Sequence, residues 1–352
     1  MVILVSFQNM KLISIASGFP EHRYEQKQCL EEMRKAKFWN ELKEGSRRLL
    51  EKVLQSDAGI DERRFALGNL TDAWNKDAQE LNFHYEKAAP AIAEKAVLAA
   101  LKKTGLNITD IDALFICSCT GYLCPGVSSY VAEHLGMREN AHLQDLTGLG
   151  CGAAIPMLEA AAGFTALHPE ARVLTVAVEI CSAAFYVEDD AGVLISTCIF
   201  GDGASAAIWS GDGRNEGEWS INHFKSLHCP ESREMIRFTN AAGKLRNQLD
   251  RNVPTLAASV VKRLYDDRSD GIDAYITHGG GRDVIVALES KLEIENLKYA
   301  REVMRKYGNL SSPSVMVALE MFLEQATDEE HAWICTFGAG FSAHACELNR
   351  MK

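Results

Sequence analysis

At 352 residues, with 47% hydrophobic and 24% charged side chains, the chain is long enough for two domains or one large duplicated one and too apolar to be mainly disordered. Its net charge of −11 argues against nucleic acid as the primary partner, while leaving room for a local basic mouth that takes an anionic substrate. No run approaches the ~20 apolar residues that cross a bilayer, and the apolar opening at 1–7 is too short for a signal-peptide core, so a cytoplasmic protein without membrane contact is expected.

Residues 11–15 read as a first strand, which makes Met10 an alternative start to Met1. Charged residues at helical spacing over 24–54 predict surface helices, and Arg47, Arg48, Lys52, Arg63 and Arg64 form a basic stretch whose simplest reading is a solvated face. An amphipathic helix is predicted over 85–103, stopped by Gly105, and a strand over 113–118. Residues 171–180 are nearly continuously apolar and rich in valine, the pattern of a strand buried on both faces. Strands at 206–209 and 343–348 and helices at 283–306 and 314–325 complete an α/β alternation. Ten cysteines are expected as reduced thiols, most of them in apolar runs where cysteine behaves as a small hydrophobe. Cys117, Cys119 and Cys124 lack paired C-x-x-C spacing, so no metal is expected.

The chain also repeats itself. FGDGASA at 200–206 returns as FGAGFSA at 337–343, five identities in seven. Ile111-Asp112-Ala113 opens one apolar run and Ile272-Asp273-Ala274 another, and between these landmarks Gly150-Cys151 is mirrored by Gly308-Asn309. An internally duplicated chain follows, with halves at 1–213 and 214–352, divided where Gly, Asp and Asn cluster at 211–217, and a longer insertion in the first half.

Three residues carry candidate chemistry. Cys151 stands between Gly150 and Gly152, ahead of a run of helix formers whose Pro156 is tolerable in a first turn. A helix N-terminus favours thiolate and offers amides to an oxyanion. His278 follows a strand and precedes three glycines, and Asn309 follows Gly308 and precedes two serines. Singly, they read equally well as a buried cysteine in a glycine turn, a satisfied histidine and a helix cap. Jointly, at strand ends and helix starts of two related halves, they suit covalent acyl transfer, with a thiolate taking the acyl group and His and Asn donating to a thioester oxygen.

These residues resemble the thiolase-fold condensing enzymes, and among them the chalcone-synthase-like type III polyketide synthases, over nearly the whole chain. LTGLGCGAA resembles the family's nucleophile segment, THGGG its His-Pro-Gly-Gly segment, YGNLSS its Gly-Asn-x-Ser-Ser segment, FGDGASA its gatekeeper loop and TFGAG its C-terminal glycine loop. The resemblance implies a layered αβαβα thiolase fold, with Cys151 as the acyl carrier and His278 and Asn309 binding the malonyl thioester and stabilising the enolate left by decarboxylation. It also implies that His278 helps deprotonate Cys151 and lowers its pKa through an ion pair. Phe200 becomes the gatekeeper, Cys181, Ser196 and Ser311 cavity positions, and Asn247 falls near a usual phenylalanine. Cys124 becomes the tip that crosses into a homodimer partner's cavity. The substrates implied are acyl-CoA and malonyl-CoA, with no further cofactor, and the basic stretch from Arg47 to Arg64 matches a coenzyme A mouth. Gly279 stands where the family has proline and Ala339 where its last loop has another, so backbone shape and product differ from the plant flavonoid type.

Three other readings compete. A beta-ketoacyl-acyl-carrier-protein synthase III carries His-Gln-Ala-Asn where this chain has His278-Gly279-Gly280-Gly281, and an esterase places its HGGG before a nucleophile elbow, whereas His278 follows Cys151. A silent acyl-binding partner of the same fold is disfavoured by retention of all three polar residues.

Overall fold

In the computed structural model, which describes residues 10–55, 58–214 and 216–351, the Ile-Asp-Ala repeat marks the same strand in two related halves of one nine-stranded sheet. The apolar opening at 1–7 lies outside the described residues. Along the chain come β1 (Met10–Gly18), β2 (Arg23–Glu25), β3 (Glu62–Arg64), β4 (Ala113–Cys117), β5 (His142–Leu146), β6 (Arg172–Glu179) and β7 (Gly203–Ser210), then β8 (Trp219–His228), β9 (Ile236–Ala241), β10 (Lys244–Leu249), β11 (Ala274–Thr277), β12 (His331–Gly338) and β13 (Ser342–Arg350). Helices α1 (Gln26–Lys35), α2 (Phe38–Glu41), α3 (Glu44–Gln55), α4 (Ala78–Lys102), α5 (Val127–Leu135), α6 (Ala154–Leu167) and α7 (Ala191–Ile199) interleave with the first set. The second set carries α8 (Val253–Tyr265), α9 (Arg282–Leu292), α10 (Lys298–Tyr307) and α11 (Pro313–Gln325).

Outward from the middle, one half runs β1-β7-β6-β4-β5 and the other β8-β13-β12-β11. Directions agree as well: β7 and β13 are antiparallel to both neighbours, whereas β6 with β4 and β12 with β11 are parallel. The second half lacks only the counterpart of β5 among the described residues. The halves join where β1 pairs with β8 through Met10↔Ile221, Lys11↔Ser220 and Leu12↔Trp219.

The repeated aspartate has a physical task. Asp112, just before β4, accepts from the amide of Arg172, the first residue of β6, at 2.8 Å. Asp273, just before β11, accepts from the amides of Glu330 and His331 at 2.9 Å each, where β12 begins. In both halves a carboxylate thus closes the start of a parallel strand pair whose first amides the ladder leaves unpaired. The repeated FGxGxSA segments are less alike, because Phe337 and Gly338 end β12, whereas Phe200 follows α7, an insertion between β6 and β7.

Helices α6 and α11 lie between the two halves of the sheet, packed with apolar side chains of both, including Phe115, Val173 and Ala207 on one side and Ile276, Ile334 and Cys346 on the other. Both are apolar around most of their circumference, as a helix buried on all sides must be. Outside, α4 and α5 cover the first half of the sheet and α8 and α9 the second. Five layers result.

Two predicted boundaries shift. The helix expected over 85–103 begins at Ala78, because Asp77 accepts from the Glu80 amide and the Glu80 carboxylate accepts from the Asp77 amide, each at 2.8 Å. The helix expected over 283–306 is two, α9 and α10, since Glu293 turns into the left-handed region with φ of 57° and ends the first.

Candidate active site

Cys151 sits in a single helical turn, Gly150–Gly152, that feeds directly into α6. The glycines are sterically required there. Gly150 has φ of 58°, and a Cβ on the facing Gly338 would lie 2.5 Å from the Gly152 nitrogen and 3.0 Å from that of Cys151. The loop from the end of β12 therefore lies directly on the nucleophile turn, and Thr336 Oγ1 donates to the Gly152 carbonyl at 2.9 Å.

His278 follows β11, its amide donating to the Cys335 carbonyl at 2.9 Å and its ring lying 5.1 Å from that of Phe337. Its Nδ1 is buried without a hydrogen-bond partner, so no protein group holds that side of the imidazole. Asn309 is fixed on both ends of its carboxamide: Oδ1 accepts from the Ser311 amide at 2.7 Å, and Nδ2 donates to the Gly280 carbonyl at 2.8 Å. One Nδ2 hydrogen remains for a ligand. Ser311, held at φ of 59°, donates from Oγ to the Cys151 sulfur at 3.1 Å. A continuous chain of contacts thus runs from Cys151 through Ser311 and Asn309 to Gly280, two residues beyond His278. Segments 127 and 158 positions from Cys151 in the sequence are thereby brought into one neighbourhood.

The protonation states differ from the expectation of a resting thiolate. Burial pushes the Cys151 thiol up to about 12, against the Ser311 hydrogen bond, which lowers it. Burial also pushes His278 down to about 4. Desolvation outweighs the helix terminus, and the chamber at rest holds a neutral thiol and a neutral imidazole. Because only thiolate is alkylated and little is present at pH 7, iodoacetamide is expected to modify Cys151 about tenfold faster for each unit of pH from about 7 to about 9, with no levelling in that range. A rate already level at pH 7 would mean that sulfur and imidazole share their proton as an ion pair.

Sequence reasoning missed Glu179. This fully buried carboxylate ends β6 and accepts from the Cys119 and Thr120 amides at 2.9 and 3.0 Å, Thr120 Oγ1 at 2.8 Å and Ser312 Oγ at 2.7 Å. Its Oε1 also lies 3.3 Å from the Ser311 hydroxyl, placing it one side chain behind the nucleophile. The available signal was an acidic residue near the end of the apolar run at 171–180, but its partners come from both halves.

Beside Ser311 lies a narrow pocket lined by Phe200, Cys181, Ser196, Tyr186 and Asn247 among others. Phe200 closes α7 and is stitched to Asn309 by two backbone bonds, Asn309 N to Ile199 O at 2.8 Å and Gly201 N to Asn309 O at 3.0 Å. Asn247 donates to Ser196 Oγ at 2.6 Å, which gives the far wall a polar seam. Cys124 is exposed and does not line this cavity.

The basic stretch divides. Arg47, Arg48 and Lys52 ride on α3, where Arg48 pairs with Glu44 at 2.5 Å, and the inward side of that helix, Leu50 and Leu54, packs with Leu194 and Cys198 of α7. Arg63 is not a surface cation: it is fully buried under the end of α7. Arg64 donates to the Pro20 carbonyl at 3.2 Å. Among the described residues no cluster of His, Cys, Asp and Glu is arranged to hold a metal ion, and no helix is long and apolar enough to cross a membrane.

Residues 14–234 match the family model described as FAE1/Type III polyketide synthase-like protein, and residues 267–350 that of 3-oxoacyl-(acyl-carrier-protein) synthase III, C terminal. The 3,5-dihydroxyphenylacetyl-CoA synthase of Streptomyces toyocaensis is 30% identical over 275 residues, covering 73% of this chain and 70% of its own. The 1,3,6,8-tetrahydroxynaphthalene synthase of Streptomyces coelicolor is 29% identical over 277 residues, covering 75% and 73%. In fold, the chain is similar to PKS-I of the brown alga Ectocarpus siliculosus, with a TM-score of 0.88 and 22% identity over 98% of this chain and 99% of the other.

Proposed function

Because the chain belongs to the FAE1/type III polyketide synthase-like family of acyltransferase-type condensing enzymes, we propose that it loads an acyl starter from acyl-CoA on Cys151, extends it with malonyl-CoA and releases a cyclised polyketide. The observation that carries this reading is the chain of contacts linking Cys151, Ser311 and Asn309 to the glycine turn after His278.

The neutral imidazole of His278 accepts the Cys151 proton as sulfur attacks the starter thioester, and the proton leaves with the coenzyme A thiolate. A malonyl thioester then lies with its carbonyl oxygen toward the remaining Asn309 N–H and a His278 N–H. Loss of carbon dioxide leaves an enolate, whose oxygen charge these neutral, already oriented donors stabilise. The enolate carbon attacks the Cys151 thioester, a carbon–carbon bond forms, and the sulfur is released for the next round. Burial, by keeping His278 uncharged, leaves it able to act as acceptor in the first step and donor in the second.

Phe200 separates this chamber from the cavity in which Cys181, Ser196 and Ser311 surround the growing chain. The cations left for coenzyme A phosphates are Arg47, Arg48 and Lys52, on the helix that packs against α7. Cys124, exposed beside Tyr122, suits a contact with a second copy of the chain, and a cytoplasmic homodimer without metal or redox cofactor completes the reading.

The test is product analysis of the purified chain with malonyl-CoA and a panel of short and long acyl-CoA starters. Pyrones or phenols containing two or more malonyl-derived units are expected. A product stopping at one β-ketoacyl unit, or formed only with an acyl carrier protein, would instead support a single-condensation synthase.

A further inference from the structure

Arg63 is a charge in an expensive place. Its residue is 0% exposed in the edge strand β3, and no carboxylate lies within ion-pair distance of it among the described residues. Taking a guanidinium out of water costs several kcal/mol unless polar groups replace the solvent. Here the replacements are the last carbonyls of α7. Nη1 donates to the Thr197 carbonyl at 2.7 Å and the Phe200 carbonyl at 2.9 Å, and Nε donates to Gln26 Oε1 at 2.8 Å. Gln26 in turn donates from Nε2 to the Cys198 carbonyl at 2.9 Å. These carbonyls have no partner within the helix and carry its partial negative end, where a cation is favourable.

The same side chain touches a second part of the site. A Cβ on Gly308, the residue before Asn309, would lie 2.9 Å from Arg63 Cγ and 3.1 Å from its Cδ, so the arginine stem fills the space that glycine leaves. The head therefore holds Phe200 and the stem supports the turn into Asn309. The neighbouring chain reinforces this: Asp202 N donates to the Arg64 carbonyl at 2.9 Å, and Ala66 N to Asp202 Oδ2 at 2.8 Å.

We propose that Arg63 is a positioning residue that sets Phe200 and Asn309 relative to each other, so that malonyl decarboxylation, more than starter loading, depends on it. The proposal rests on the roles given above to Asn309 and Phe200. Cys151 is held by Ser311 and by the loop at the end of β12, so Arg63 reaches it only indirectly, through Asn309 and Ser311, and loading depends on it less than decarboxylation does. Lysine is a poor substitute, because a single ammonium cannot fork across two carbonyls and a carboxamide.

Arg63→Gln and Arg63→Lys are assayed for malonyl-CoA decarboxylation and, by intact mass, for the acyl adduct on Cys151. The expected result is a fall in the decarboxylation kcat of about tenfold to a hundredfold with KM within about threefold, as for a donor displaced by a fraction of an ångström, and adduct formation within about threefold of the native chain. Lysine should restore part of the loss. If Arg63→Gln does not fold, Gln26→Leu, which removes the bond to Cys198 while keeping the guanidinium, should give the same split at smaller size. A raised KM with kcat intact would make Arg63 a coenzyme A contact, and equal losses in both steps would make it a general stability residue; either overturns the proposal. Asn309→Ala serves as the reference: if it abolishes decarboxylation while the Arg63 variants do not, only this inference fails, and if it leaves decarboxylation intact, the reading beneath it fails as well.

Discussion

Cys151→Ala is expected to leave no acyl adduct on the protein after incubation with acyl-CoA and to reduce polyketide formation by on the order of 10⁴-fold or more, the scale lost when a covalent nucleophile is removed. The chamber offers no ready replacement. The neighbouring thiols of Cys119 and Cys181 are raised well above the ordinary cysteine value, by burial first and by the carboxylates near them second, Glu179 for Cys119 and Asp202 for Cys181. Folding should be nearly unaffected, since alanine keeps the Cβ and the turn is shaped by Gly150, Gly152 and the facing Gly338. Intact-mass analysis checks the adduct and thermal melting the fold. Malonyl decarboxylation should partly persist, because its two donors are untouched. An adduct that forms at full stoichiometry in the variant would place the acyl group on another residue.

Asn309→Ala should produce the opposite division, with decarboxylation reduced about 10²- to 10³-fold, the usual consequence of deleting one oriented donor, and starter loading largely retained. Alanine also strands the Ser311 amide and the Gly280 carbonyl, so a stability loss of about 1–3 kcal/mol accompanies the kinetic effect. Asn309→Asp keeps an acceptor for Ser311 N but offers no amide hydrogen and sets a buried negative charge against the Gly280 carbonyl and the enolate, so it should be no better than alanine in decarboxylation and no more stable. Carbon dioxide release from malonyl-CoA is the measurement. An aspartate variant with native rates would remove Asn309 from the chemistry.

What could be read along the chain was whatever local pattern dictates. The valine-rich run at 171–180 had to be a strand buried on both faces, and the glycines around Cys151 had to mark a tight turn ahead of a helix. The Ile-Asp-Ala repeat announced two related halves because the same carboxylate solves the same problem, unpaired amides where a parallel strand pair begins, in each of them. Less was visible where a local rule was absent or hidden. The first turns of α4 lack apolar periodicity and are set by a reciprocal cap, and the break at Glu293 uses a non-glycine residue in a backbone region that usually announces itself by glycine.

Arg63 shows where local pattern misleads. Beside Arg64, after a helix carrying Arg47, Arg48 and Lys52, it reads as one more surface cation, yet its partners are carbonyls 134 and 137 positions away. Glu179 is similar, a single charge whose donors come from segments at 119–120 and 311–312. The ionisation of Cys151 also reversed. Judged by its helix it should be acidic, but desolvation depends on every element that closes the chamber and is the larger effect.

The sequence by itself determined the class of fold and its duplication and singled out the three polar residues on which the proposed chemistry rests, because periodicity, turn glycines and motif order are properties of neighbouring residues. Only the tertiary structure decided which buried charges support those three and in what protonation state they rest. Both depend on burial and on partners far along the chain, and neither quantity exists until the two halves close on each other.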